Sequence, residues 1–447
     1  MHLDFLRETF AAAGDKDALI WRDQAYSYAW LSSSLADVER ELTATGLPPG
    51  AVVSLEADFS PRSILTLLAL IERNAIIVPL TESVRSKKAE FREIAEVEWR
   101  VTIDDQDKLS VEREQRSVQH ELLLRLKNLQ HPGLVLFSSG STGKSKAALH
   151  DLVPMLEKFR VKRPSRRAIT FLLFDHIGGF NTLMYNLSNA GCTVTVADRK
   201  PETVCRAIER HRVELLPTSP TFLNLLLVSE AYKHYDLSSL KVVTYGTEVM
   251  PASTLERFHK LFPEVTLQQT YGLSEVGILR SKSKSSDSLW VKVGGEGFET
   301  RVVNGLLEIK ARSAMLGYLN APSPFTEDGW FKTGDAVEVD GEYLRILGRQ
   351  SEIINVGGEK VYPAEVESVI QLMDGVEDVV VTGVPHPLTG NIVFCRVKLS
   401  TDESLGEFRK RMHAFCADKL PRFKIPQKVE LMDRAAHGER FKKMRRL

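Results

Sequence analysis

The chain of 447 residues is longer than one hydrophobic core normally serves, so it divides into two or three domains. Hydrophobic residues at 43% and charged residues at 26% place it in the globular range and exclude a disordered or fibrous chain. Lys plus Arg equals Asp plus Glu at 59 each, which removes the global field that recruits nucleic acid or an anionic membrane; any polyanion bound is therefore small.

Met1 to Phe10 carries Asp4, Arg7 and Glu8 and has no signal-peptide core, and apolar runs such as Leu67 to Ile71 are far short of a bilayer span. A soluble, cytoplasmic protein with no membrane span is expected. Cys192, Cys205, Cys395 and Cys416 lack metal-type spacing and read as buried free thiols. The histidines contain no H-E-x-x-H pair, which argues against a zinc site held by the protein alone.

From residue 18 to 130 helical and strand patterns alternate. Tyr28 to Leu42 reads as a helix, Ala51 to Leu55 as a strand, Pro61 to Glu72 as a helix and Ala75 to Pro79 as a strand. Such alternation predicts a parallel sheet covered by helices. Residues 168 to 250 repeat the scheme, with strands expected at Ala168 to Phe174, Thr193 to Ala197, Leu215-Leu216 and Lys241 to Tyr245. From about Leu289 short strands and turns take over, and Val303-Asn304-Gly305-Leu306 and Val339 to Tyr343 read as hairpins of a small β subdomain. After Gly348-Arg349 the pattern is mixed: helix Pro363 to Met373, strands Val376 to Val384 and Ile392 to Leu399, and a helix from Leu405 to Lys419. The expected fold is α/β, with a large N-terminal domain (1–348) of α/β layers and a β subdomain, and a small mobile α+β C-terminal domain (349–447).

Between the two α/β blocks lies the run Phe137 to Lys146, which packs five hydroxyls, two glycines and two lysines into ten residues after Leu134-Val135-Leu136. Small residues let backbone N–H groups converge on an anion, hydroxyls donate further hydrogen bonds and lysines add charge, a composition suited to phosphate. It is not a P-loop of the form G-x-x-x-x-G-K-[ST], because Ser138 stands at the first glycine and Ala147 to His150 continues as a strand instead of a helix. Alone, such a run is equally a Gly/Ser connection.

Four further segments follow it in order: Gln269-Thr270-Tyr271-Gly272-Leu273-Ser274-Glu275; Phe331-Lys332-Thr333-Gly334-Asp335; Gly348-Arg349 with Tyr362-Pro363-Ala364-Glu365-Val366-Glu367; and the basic tail Phe441 to Arg446. In this order they resemble the adenylate-forming superfamily of acyl-CoA and aryl-CoA synthetases, peptide-synthetase adenylation domains and luciferases, over nearly the whole chain. The resemblance implies an AMP-forming ligase that activates a small carboxylic acid with ATP and Mg²⁺ and passes it to the thiol of CoA or of a carrier-protein phosphopantetheine.

By that resemblance Ser139, Ser141, Thr142 and Lys146 hold the outer phosphates of ATP, Tyr271 stacks on adenine, and Ser274 contacts the α-phosphate. Glu275 ligates Mg²⁺, Asp335 takes the ribose hydroxyls, and Arg349 contacts ribose and phosphate. Gly246, in Tyr245-Gly246-Thr247-Glu248, permits close backbone approach beside the acyl pocket and adenine. His176, in Phe174-Asp175-His176-Ile177-Gly178-Gly179, is the candidate gate of the carboxylate pocket; if Phe174 is the gate instead, Asp175 falls where amino-acid-activating domains hold the amine. Lys442 takes the place of the mobile catalytic lysine. Phe441 precedes it where a glycine is usual, which leaves Lys443 open as well, and an alignment on Gly438 puts Glu439 in that place.

Several positions depart from the family pattern. Ser145 and Ala147 replace a proline and a glycine in the loop, and Ser351 stands at the hinge place where Asp or Lys is usual. An aryl or aliphatic acid is favoured over an amino acid. Transfer to CoA, loading of a carrier protein and a non-catalytic nucleotide-binding relative are the alternatives the sequence leaves open.

Overall fold

The computed structural model describes residues 1–139, 145–433 and 443, with Ser139 described by its backbone. Two seven-stranded sheets form the larger part of the molecule. In one, strands Val52–Glu56 and Ile76–Leu80 run parallel at the centre with every residue buried, as expected for strands covered on both faces. Helix Pro61–Glu72 connects them. Ser60 caps it reciprocally with Ser63, Pro61 occupies the first turn where its missing N–H costs nothing, and its buried stripe runs from Ile64 to Ile71.

The other sheet has the order Thr266–Gln269, Val242–Tyr245, Leu215–Thr218, Arg167–Ile169, Cys192–Val194, Asp17–Trp21 and Gln24–Ser27, parallel except for the last hairpin. Helices Tyr28–Ala44, Pro61–Glu72 and Ile177–Ser188 share one core with strands of both sheets, so the two layers are held at a common helical seam. Each Leu or Phe side chain fully buried there contributes about 2 kcal/mol.

Residues 280–349 form a six-stranded antiparallel sheet with its own core. Its hairpins turn where the sequence predicts: Asn304 and Gly305 both have positive φ, 52° and 76°, between strands Phe298–Val303 and Leu306–Ala311. A further core is made by residues between Ile354 and Val429, around the long hairpin Val376–His386 and Gly390–Leu399 and helices Pro363–Ile370 and Leu405–Cys416. The four cysteines are buried and free. Among the described residues no helix is long and apolar enough to cross a membrane.

One expected strand is much shorter than its apolar run. Only Arg167–Ile169 pairs, because the chain turns at the Leu173 carbonyl, which accepts a hydrogen bond from His176 N–H at 3.0 Å. Phe171 and Phe174 are then buried in two different cores, which explains apolar character without strand pairing.

Candidate functional site

The phosphate-type run sits at the tip of a hairpin. Strands Gly133–Ser139 and Ser145–Asp151 pair antiparallel up to Ser139 opposite Ser145. Ser141, Thr142 and Lys144 lie outside the described residues. The exit strand is braced by Asn320, whose amide donates to Ser145 O and accepts from Ala147 N–H, both at 2.9 Å. Lys87 Nζ reaches Ser145 Oγ at 3.4 Å. Lys146 carries its ammonium 5.2 Å from the Tyr318 ring centroid, facing a cavity of about 1990 Å³.

Tyr271, Ser274 and Glu275 line the same cavity, following strand Thr266–Gln269. Glu275 is held twice: its carboxylate accepts from the Tyr318 hydroxyl at 2.7 Å and its carbonyl accepts from Met315 N–H at 2.7 Å. Burial and then the Glu275 charge push the Tyr318 phenol upward, so it stays a donor. His150, fully buried on strand Ser145–Asp151, donates through Nε2 to the Ser274 carbonyl at 2.5 Å. Burial lowers its pKa to about 4, so the ring is neutral at physiological pH.

Asp335 and Arg349, fourteen residues apart in sequence, are cross-strand neighbours of the hairpin Phe331–Asp340 and Tyr343–Arg349. Arg349 Nε donates to Asp335 Oδ1 at 2.8 Å and its Nη1 to Thr333 O at 2.6 Å, while the Tyr271 hydroxyl donates to Asp335 Oδ2 at 2.5 Å. Burial raises the Asp335 carboxyl, partly offset by Arg349 and Tyr271. Burial works against the Arg349 charge, yet Asp335, Tyr271, Glu275 and Glu352 together outweigh it and hold the guanidinium above its usual value. Arg349 keeps 45% of its side chain accessible and lines the cavity.

His176 caps helix Ile177–Ser188, its Nδ1 accepting from Gly178 N–H at 3.1 Å, and it lines the same cavity. The rival gate, Phe174, is instead 2% exposed and packs edge-on to Phe59 with ring centroids 5.0 Å apart. Asp175 is buried and its carboxylate accepts from the Thr81 hydroxyl at 2.7 Å and from the Ser83 hydroxyl at 3.5 Å. Gly179 lets the helix abut this turn: a Cβ there would lie 2.0 Å from the Leu173 carbonyl oxygen. At Gly246 a Cβ would meet Thr270 Oγ1 at 2.6 Å, so glycine allows the cavity wall to close on Thr270. The next residue, Thr247, is β-branched yet has φ +74°, a strained conformation in the cavity lining.

The tail residue Lys443 is nearly buried, its Nζ donating to Val379 O at 2.9 Å and lying 3.6 Å from Glu367 and 4.0 Å from Asp378. Its backbone N–H donates to Glu248 Oε2 at 3.1 Å, and the other oxygen of Glu248 accepts from Thr221 N–H at 2.8 Å. Glu248 therefore stitches the tail to the start of helix Pro220–Ser229. Lys442, Glu439, Gly438 and Phe441 lie outside the described residues.

Sequence reasoning missed Tyr318, Asn320, His150 and Glu248 as supports of this cavity. Tyr318 and Asn320 share the stretch 315–320, whose glycine, aromatic and amide stand where the chain returns to pair with strand Ser145–Asp151. That strand pairing is long-range, so no local pattern marks it.

Residues 6–301 match the model of the AMP-binding enzyme family and residues 365–442 that of the AMP-binding enzyme C-terminal domain. An indoleacetate–CoA ligase of Aromatoleum aromaticum is 25% identical, over 94% of this chain and 91% of its own length. A feruloyl-CoA synthase of an Amycolatopsis species is 27% identical over 92% of this chain and 90% of its own. In fold the chain is similar to an anthranilate CoA ligase in complex with anthranoyl-AMP, with a TM-score of 0.81, 20% identity, and 99% and 95% of the two chains covered. An amide bond synthetase from Marinactinospora thermotolerans has a TM-score of 0.78 at 21% identity, covering 100% of this chain and 98% of its own.

Proposed function

Since the chain belongs to the AMP-binding enzyme family and is an AMP-forming acid–thiol ligase, we propose that residues 1–348 bind ATP and the acid while residues 349–447 act as a moving lid that brings Lys442 to the reaction. In the first half-reaction a carboxylate oxygen attacks the α-phosphorus of ATP, the bond to pyrophosphate breaks, and an acyl-adenylate forms. In the second the thiol of CoA attacks the acyl carbon, AMP leaves, and the thiol proton passes to solvent.

What supports this reading is the convergence of Lys146, Glu275, the Asp335–Arg349 pair and His176 on one cavity. Asp335 and Arg349 bind and orient the nucleotide, exchanging part of their mutual contact for ribose and phosphate oxygens. Tyr271 supplies a ring face at the adenine, Ser274 a hydroxyl at the α-phosphate, and Lys146 with the hydroxyls of Ser139, Ser141 and Thr142 grips the departing pyrophosphate. No enzyme nucleophile is required, because transfer at phosphorus is accelerated by positioning and charge neutralisation.

Glu275 fits Mg²⁺: it is a carboxylate oriented by Tyr318 and lining the cavity, and magnesium is ordinarily held by one or two carboxylates plus phosphate oxygens. Among the described residues no cluster of three His, Cys, Asp or Glu forms a metal cage, so the ion would be shared with the nucleotide. When bound, Mg²⁺ offsets the repulsion between the two anionic reactants. His176 excludes water from the carboxylate pocket in the first step and swings aside for the thiol in the second. Four buried reduced cysteines accord with a cytoplasmic setting.

ATP–pyrophosphate exchange over a panel of aryl, aliphatic and amino acids tests the first step, followed by addition of CoA or of a phosphopantetheine-bearing carrier protein. Exchange with an aryl or aliphatic acid and thioester formation on CoA are expected. Transfer to the carrier alone would reassign the acceptor, and ATP binding without exchange for any acid would make the protein a non-catalytic relative.

A further inference from the structure

The segment 158–167 carries six basic residues in ten, and most of them are visibly engaged. Arg160 pairs with Glu157 at 3.0 Å, Arg167 with Asp17 at 2.7 Å, and Lys162 Nζ donates to Ser188 O at 2.9 Å. Lys158 differs. Its ammonium donates to Asn181 Oδ1 at 2.6 Å and to the Ile278 carbonyl at 3.2 Å, and it lines the cavity. Among the described residues it has no salt-bridge partner, and the nearby charge acting on it, Arg163, has the same sign.

A desolvated ammonium without a counterion is costly, and proteins keep one where a ligand completes the pair. Two neutral acceptors and the Phe159 ring, whose centroid is 5.0 Å from the ammonium, fix its direction, and none of them carries a negative charge. Asn181 lies on helix Ile177–Ser188, whose cap is His176, about 7 Å further along the helix axis than that cap. Lys158 is thus set back from the carboxylate gate by the length of a ring or a short chain. Burial, reinforced by Arg163, lowers its pKa to about 8, in keeping with a missing partner.

We propose that the acid activated by this enzyme carries a second anionic oxygen group, remote from the carboxyl that becomes adenylated, and that Lys158, oriented by Asn181, is the specificity residue that receives it. The inference rests on the ligase reading above and names its substrate class as doubly acidic. A purely aliphatic or unsubstituted aryl acid would leave the ammonium without a counterion in the cavity it lines.

The test compares acids differing only in the distal group, hexanoate with hexanedioate and benzoate with benzene-1,4-dicarboxylate, in ATP–pyrophosphate exchange by the wild type, K158M and K158R. The expected result is a diacid preference in the wild type, lost in K158M through a fall of about 100-fold in diacid kcat/KM with the monoacid value nearly unchanged, and partly restored in K158R. Met preserves the length of the side chain and removes an unpaired charge, so the melting temperature of K158M should equal or exceed that of the wild type. Exchange with monoacids and diacids that K158M leaves equal, or lowers equally together with the melting temperature, overturns the inference while the ligase reading stands. Absence of exchange with every acid overturns both.

Discussion

The residues proposed for nucleotide and the residue proposed to select the acid manage charge differently. Among the first, the carboxylates have their partners in place: Asp335 faces Arg349 and Tyr271, Glu275 faces Tyr318, and the Ser274 carbonyl is held by a neutral His150, while Lys146 has the Tyr318 ring beside it. The second, Lys158, is oriented by neutral acceptors and waits for a charge. A surface that meets one invariant molecule can be wired in advance, since paired groups cost little reorganisation when the ligand arrives. A surface that selects among acids gains discrimination from a group that is satisfied by the right one alone.

The largest expected effect lies in neither set but in the lid. Lys442→Ala should lower adenylate formation about 100- to 1000-fold, the range for loss of a transition-state charge contact, and spare thioester formation from a supplied acyl-adenylate. Single-turnover assays of each half-reaction separate the two; survival of both moves the catalytic role to another residue. Lys443 is the control, because its ammonium is engaged by Val379, Glu367 and Asp378. Its replacement should weaken tail docking and affect both half-reactions mildly.

Asp335→Asn sharpens the comparison. It leaves Arg349 without its carboxylate and turns one of the two acceptor oxygens proposed for ribose into a donor, so the KM for ATP should rise about 10- to 100-fold while the KM for the acid stays unchanged. A matching rise in the acid KM would show that the two sets are not independent. Gly179→Ala attacks acid selection. The added methyl collides with the Leu173 carbonyl and must displace the turn that carries His176, at a cost of about 1–3 kcal/mol in stability. Acid kcat/KM should fall and ATP binding, read by calorimetry, should hold.

The same division decides what was legible in the sequence. Helix Pro61–Glu72 and the strands beside it were readable because capping serine, proline and apolar period agree locally. The hairpin at Asn304-Gly305 was readable because its turn type demands those residues. The residues proposed to bind nucleotide come from short motifs in a fixed order along the chain. Lys158, Tyr318 and His150 do not. Lys158 belongs to a basic run that reads as a solvated face, and its uncompensated burial exists only once Asn181 and Ile278 have been brought against it. Phe171 to Phe174 misled for a related reason: an apolar run feeding two cores has the composition of a strand and none of its pairing.

The smallest predicted effect concerns His150. Its pKa is about 4 against a usual 6.5, so between these values the unfolded chain binds a proton that the native ring does not. Stability from this site is therefore complete above pH 6.5 and declines as pH falls toward 4. Between pH 7.5 and 5.5 the loss amounts to about 1 kcal/mol. Urea unfolding of the wild type and His150→Gln at both pH values isolates it, because other carboxylates and histidines are common to the pair. The stability gap between the two proteins should narrow by that amount at pH 5.5, and a gap independent of pH would mean that the ring is charged in the native state. A neutral ring also keeps its Nε2–H on the Ser274 carbonyl throughout this range. ATP affinity should then be insensitive to this histidine's titration from pH 7.5 to 5.5, which separates a site wired by neutral donors from one that depends on the charge of Lys158.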